Sequence, residues 1–190
     1  SIATVYSDVA HLLVRKDSGI SSLIDLKGKT VSAGLAGSGT EKVADKLFRH
    51  YGFGAKGVRK VQLVPAVAIE CLIAGEIDAV LLVTAMRAPV ILQGMASGEL
   101  EHIEIDPKGG LDGLCSGQYR FTRGSIPRHS YAQVGEMESP LPETTTQVLR
   151  VPTQLICRES LSSDQVYTLT QGLFASRDRI EQQVPAVREM

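Results

Sequence analysis

The chain has 190 residues, 20 Lys and Arg against 21 Asp and Glu, 43% hydrophobic residues and no Trp. That length and apolar content can build one large domain or two small ones around a buried core, and they exclude a largely disordered chain. A net charge of −1 gives no general attraction to nucleic acid or to an anionic membrane, so neither is an expected partner.

Residues 9–15 (VAHLLVR) form an apolar run of strand character, closed by the polar turn Lys16, Asp17, Ser18, Gly19. Residues 21–26 read as one helical turn that Lys27 and Gly28 break, and residues 29–34 as a strand running into the glycine-rich segment GLAGSGT. Val43, Leu47, Phe48 and Tyr51 then recur at helical spacing before Gly52. After a strand at 58–64, Pro65 fits the first position of a helix that carries Ile69, Leu72 and Ile73 on one face. Residues 77–83 (IDAVLLV) are apolar on both faces, as a central parallel strand requires. Pro89 opens a helix with Ile91, Leu92 and Met95 inward, and residues 100–105 alternate as a strand. This succession predicts an α/β fold with a mostly parallel sheet flanked by helices.

From 106 to 142 the chain turns rich in Gly, Pro, Ser and Arg, either a functional loop region or short irregular strands. Residues 144–158 are strand-like again, interrupted by Pro152. Ser162 and Gln165 make a capping box for a helix with the stripe Val166, Leu169, Leu173 and Phe174, which has few evident partners. Apolar runs such as 79–83 are too short to span a bilayer, and no Lys/Arg-led leader precedes them, so an export signal is expected to be removed or absent. Cys71, Cys115 and Cys157 lack metal or disulfide spacing; Cys71 and Cys157 read as buried, Cys115 as the exposed thiol.

The segment from Gly34 to Glu41 lies between a strand and a helix, where glycines let the backbone approach a ligand and the helix N-terminus favours an anion. It is not a P-loop, because Thr40 stands where the phosphate-binding Lys belongs, nor is its glycine order that of a dinucleotide fingerprint. The plain alternative is a helix cap in which Ser38 and Glu41 form a capping box. His11, His50, His102 and His129 have no metal spacing, and His11 reads as a core or edge residue of its strand. Arg120, Arg123, Arg128 and His129 near Tyr119, Phe121 and Tyr131 read as a solvated face or a contact for an acidic ligand. No acid/base pair, nucleophile elbow, metal set or cofactor motif is visible, so no cofactor is expected.

Leu12-Leu13-Val14-Arg15 followed by Asp25-Leu26-Lys27-Gly28-Lys29-Thr30-Val31 resembles type II periplasmic binding proteins. Gly37-Ser38-Gly39-Thr40-Glu41 and Ala74-Gly75-Glu76-Ile77-Asp78-Ala79 resemble, more narrowly, the TAXI-type solute receptors of TRAP transporters. Ile126-Pro127 with Tyr131, residues 153–156 and residues 166–170 are similar to that family's later segments. Two departures stand out: Val5-Tyr6-Ser7-Asp8-Val9 replaces a Tyr-Pro-Glu-Pro-like segment, and Gly34-Leu35-Ala36 replaces Gly-Pro-Pro.

The resemblance implies a division into a hinge segment (1–8), a ligand-binding lobe two (9–147), and a hinge with the returning strand and helix of a partial lobe one (148–190). The first half of lobe one would be missing, so the last helix would be covered by self-association, by packing on lobe two, or not be ordered. The implied function is an extracytoplasmic, periplasmic solute-binding protein that captures a small carboxylate, amino acid or dicarboxylate-like, for a membrane transporter. Alternatives are a sensor or effector-binding module and an enzyme on the same fold. In the expected site, backbone N–H groups of Ser38, Gly39 and Thr40 receive the anion and the Thr40 hydroxyl assists. The loop from Thr84 to Pro89 faces the same cleft and supplies Arg87 as the charge partner, with Tyr6 and Ser7 closing from the hinge.

Overall fold

The computed structural model describes residues 1–54, 57–105, 112–116, 120–131 and 142–184. Its first element is a long strand, β1 (Ala3–Arg15), whose second half is buried on both faces. A 3₁₀ turn (Leu23–Leu26), capped by Ser22 and Asp25, leads to β2 (Thr30–Ser32) and then α1 (Gly39–His50). Next come β3 (Arg59–Val61), α2 (Pro65–Ile73), β4 (Ala79–Thr84), α3 (Pro89–Ala96) and β5 (Leu100–His102). The later chain adds α4 (Asp112–Cys115), β6 (Thr122–Ile126), β7 (Thr146–Leu155), α5 (Ser163–Ala175) and α6 (Arg177–Gln183).

The α/β fold with helices flanking a sheet is as expected, and β4 lies inside the sheet between β2 and β1, in the order β3-β2-β4-β1-β7-β6 with β5 also on β1. The strand directions correct the expectation of a mostly parallel sheet. Only β2 runs parallel to its neighbours β3 and β4; β1 is antiparallel to β4, β5 and β7, and β6 is antiparallel to β7. Helices cover both faces, so every central strand reads as an unbroken apolar run whatever its direction. Only the two crossovers through α1 and α2 force neighbours to run parallel.

Alternation along β1 and β4 feeds two cores. Leu12, Val14 and Leu81 pack with Leu23, Val43, Leu47 and Phe48 on the α1 face; Val9, Leu13, Val80 and Leu82 pack with Ile69, Leu72, Ile91 and Met95 on the α2–α3 face. Burying each such side chain stabilises the fold by roughly 1.5–3 kcal/mol.

The first strand begins six residues before the expected Val9, because residues 3–9 pair with β7. Pro152 does not interrupt β7: β6 begins opposite Arg150, so no described strand on that side needs a proline N–H. Cys157 is exposed rather than buried, since it follows the end of β7, whereas Cys115 on α4 is half-buried against the α1-face core. In 106–142, a short helix and β6 are described, and Tyr119 lies outside the described residues. The capping box of Ser162 and Gln165 forms, yet α5 has no buried residue. Leu169 and Phe174 are 50% and 53% exposed, so this helix is formed without packing into either core.

Gly34 shows how tightly α1 is seated. Its φ is +82°, and a Cβ there would stand 2.7 Å from both Ser38 Oγ and Thr40 Cβ. Gly34→Ala is expected to cost about 2–3 kcal/mol from backbone strain and overlap together. Gly37→Ala, also at positive φ but with open space around it, should cost only about 1–2 kcal/mol. Urea denaturation of the two variants checks the difference; equal losses would contradict it.

Candidate functional site

Strands β2 and β4 are parallel neighbours, so the segments leaving their C-terminal ends emerge at one edge of the sheet. After β2 the chain enters the glycine segment and α1; after β4 it enters the 84–89 loop and α3. The Val83 N–H donates to Thr40 Oγ1 at 3.1 Å and fastens the two arms together. Val9 of β1 is in register with Thr84, so Tyr6 and Ser7 continue past that point on the same edge. By alternation, Tyr6 falls on the α1 face with Ala10, and Ser7 on the α2–α3 face with Val9.

The glycine segment differs from expectation in two details. Ser38 Oγ accepts from Glu41 N at 3.1 Å, but Glu41 does not return to Ser38. Instead Glu41 Oε2 accepts from Gly37 N at 2.6 Å and Oε1 from Gln62 Nε2 at 3.1 Å, leaving the capping box half formed. The Ser38 N–H, expected to serve a ligand, donates to the Leu35 carbonyl because the turn closes on itself. The N–H groups of Gly39 and Thr40 have no hydrogen-bond partner among the described residues. The Thr40 hydroxyl has accepted from Val83 and still has its own proton to donate.

Arg87 is exposed in the 84–89 loop, and its Nη1 donates to the Ser130 carbonyl. That bond takes one of five guanidinium donors of an exposed side chain. Opposite, Tyr6 pairs with Thr153 and Asp8 with Val151 in the β1–β7 ribbon. Asp8 Oδ2 accepts from the Thr153 hydroxyl at 2.8 Å. Partial burial pushes the Asp8 carboxyl up, and the Thr153 hydrogen bond opposes that rise.

A second cluster, missed by the sequence reading, lies beneath this edge. His11 Nδ1 and His102 Nε2 are 2.9 Å apart, and the Tyr131 hydroxyl is 3.2 Å from His11 Nδ1. The three residues are 0%, 8% and 4% exposed. Burial holds His11 down at about 4 against an ordinary imidazole value of 6.5, although the Thr84 and Ala85 carbonyls favour its protonated form. Burial, and then the His11 charge, hold His102 well below that range too. Burial raises the Tyr131 phenol. At neutral pH the cluster is therefore two neutral imidazoles and a neutral phenol, with one ring proton between the paired nitrogens. The available sequence signal was a histidine at the buried phase of two strands.

The edge can hold an anion through N–H donors, a hydroxyl and a guanidinium. Among the described residues, no group of three His, Cys, Asp or Glu side chains could hold a metal ion. Arg123 of the loop basic residues pairs with Asp112 at 2.9 Å. A hollow of about 410 Å³ lined by Leu161, Asp164, Gln165, Thr168 and Leu169 lies on α5 and includes none of the expected site residues.

The chain belongs to the NMT1-like family, whose model matches residues 1–190. Solved structures of similar fold include the aliphatic sulphonate-binding protein SsuA from Escherichia coli, with a TM-score of 0.52, 16% identity, and coverage of 97% of this chain and 50% of that one. The arginine-, lysine- and histidine-binding protein ArtJ from Geobacillus stearothermophilus matches with a TM-score of 0.50 and 18% identity over 96% of this chain and 61% of its own. The substrate-binding protein of an amino acid ABC transporter matches with a TM-score of 0.50 and 17% identity over 95% and 60%. The chain thus spans half to three fifths of the length of these structures.

The buried imidazoles fix the sign of a pH effect. Folded His11 has a lowered proton affinity, so below about pH 6.5 the unfolded chain takes up the proton first and stability falls as pH falls. His11 alone is expected to remove about 2 kcal/mol between pH 7 and pH 5, with His102 adding in the same direction. Urea titrations at the two pH values measure it; a flat profile would refute the neutral, buried pair.

Proposed function

We propose that this chain forms one lobe and the connecting strands of an extracytoplasmic solute-binding protein that captures a small carboxylate for a membrane transporter. The observation that carries the reading is the convergence, at one sheet edge, of the open Gly39 and Thr40 N–H groups with Thr84 and Arg87 across the Thr40–Val83 bond. Ser38 caps the helix, and Tyr6 and Ser7 approach from the β1–β7 ribbon.

In this reading residues 1–8 and the first part of 148–190 connect two lobes, and 9–147 is the ligand-binding lobe. α5, formed but without a buried residue, then belongs to the other lobe, or to a contact with a second copy of the chain. Capture of a charged solute suits the donor set, because hydrogen bonds to a carboxylate are charge-assisted. The described residues offer no acid/base pair aimed at that edge, which favours capture over turnover. Solved relatives of the fold serve amino acid and sulphonate transport; a carboxylate ligand and a TRAP-type transporter rest on the GSGTE and AGEIDA resemblance.

A thermal-shift screen of amino acids and dicarboxylates on the purified chain should identify a stabilising carboxylate. Arg87→Ala should then weaken it by about 1.5–3 kcal/mol, the range for hydrogen bonds to charged groups. A screen in which no carboxylate raises Tm would sink the ligand class, and unchanged affinity in Arg87→Ala would remove that residue from the site.

A further inference from the structure

We propose that the His11–His102–Tyr131 cluster is an acid-sensitive latch that holds the 84–89 loop, and Arg87 with it, in its binding position. The proposal rests on the site reading above for its consequence, but its geometry stands apart from any ligand.

At 2.9 Å, His11 Nδ1 and His102 Nε2 have room for one N–H donor facing one lone pair. The first added proton enters a far nitrogen and places a charge where both residues are buried, and one on each ring sets two N–H groups against each other. The far nitrogens, His11 Nε2 and His102 Nδ1, make no hydrogen bond of good geometry; the Thr84 and Ala85 carbonyls beside His11 and the Ile103 carbonyl beside His102 favour a charge on the rings, but burial outweighs them. The charged and titratable groups around the cluster offer no relief. Arg87 on the loop and Arg150 on β7, in register with Val9, are cationic. Arg128 and His129 in the 127–131 turn are exposed, Glu101 alternates away from His102, and α3 has no titratable residue. α2 contributes Glu70, which is exposed, and Cys71. Among the described ion pairs, none involves either imidazole.

His11 is locked in β1, with β4 beside it in register, and His102 is locked in β5 against Leu13. Tyr131 follows a turn held by few bonds, Ser130 N and Oγ to the Pro127 carbonyl and His129 N to the Pro142 carbonyl, with His129 at a positive φ of 64°. The Ser130 carbonyl in that turn is the acceptor of Arg87, and the carbonyls of Thr84 and Ala85 approach the His11 ring. Two connecting segments therefore form the outer wall of the cluster, and segments held by few bonds open at the lowest free energy. Acid is expected to push out the 84–89 loop and the 127–131 turn together while the strands stay paired.

Amide hydrogen exchange on the ligand-free chain at pH 7.5 and 5.0, corrected for intrinsic rates, tests this. The shift of one imidazole from about 4 to 6.5 on opening limits the loss of protection at 84–88 to about 30-fold per histidine, and β2 should lose far less. His102→Leu should remove one histidine's share of the pH dependence at 84–88 and leave that of His11. Tyr131→Phe, which keeps both imidazoles, should lower protection at pH 7.5 and preserve the pH dependence. An equal loss in β2 and the loop, or an unaltered profile in His102→Leu, overturns the latch. Should that variant not fold, imidazole NMR titration of the unaltered chain decides. Both rings should titrate below pH 6 in step with the 84–88 amides, and independent titration near 6.5 overturns the proposal. The latch can hold while no carboxylate binds, in which case the site reading alone has failed.

Discussion

The backbone ladder of β1 bonds β4 along one edge, and β7 and then β5 along the other. Each half of the strand has a different duty. Leu12 to Val14 anchor the two cores, while residues 3–9 reach past the end of β4 and pair with β7. This placement puts Tyr6, Ser7 and Asp8 on the edge where the glycine segment and the 84–89 loop emerge. It also carries His11 under that edge, so the candidate site and the buried imidazole pair share one support.

Local patterns were legible from the sequence. Prolines at the first helical position of α2 and α3, the Ser162–Gln165 box and the apolar stripes are all short-range signals, and each element they announce is present. Strand direction was not legible, because burial on both faces erases the alternation that separates antiparallel from parallel strands. At the site, the glycine segment declared a helix N-terminus, but which donors stay open depends on Leu35, Glu41 and Gln62 closing around it. Arg87 to Ser130 and His11 to His102 join residues 43 and 91 positions apart, and no local pattern encodes such pairs.

Electrostatics at the edge are mixed. The Glu41 carboxylate already binds Gly37 N–H beside the open donors, so an incoming anion meets like charge on one flank and Arg87 on the other. On the proposed reading, such an edge would favour a ligand whose negative group sits toward the 84–89 loop. Asp8, half-buried in the ribbon and hydrogen-bonded by Thr153, offers an acceptor on the far side that a purely anionic solute would not use.

The β1–β7 ribbon has a mechanical consequence. β4 stops opposite Val9 and β6 begins opposite Arg150, so beyond those residues the two strands continue with no lateral strand among the described residues. Two-stranded ribbons twist more readily than wide sheets. Bending stiffness therefore drops abruptly at one line across the molecule. Residues 3–8 and 151–155 form a narrower strap braced by the Asp8–Thr153 side-chain hydrogen bond, and torque applied past their ends would be absorbed there before it reached the cores.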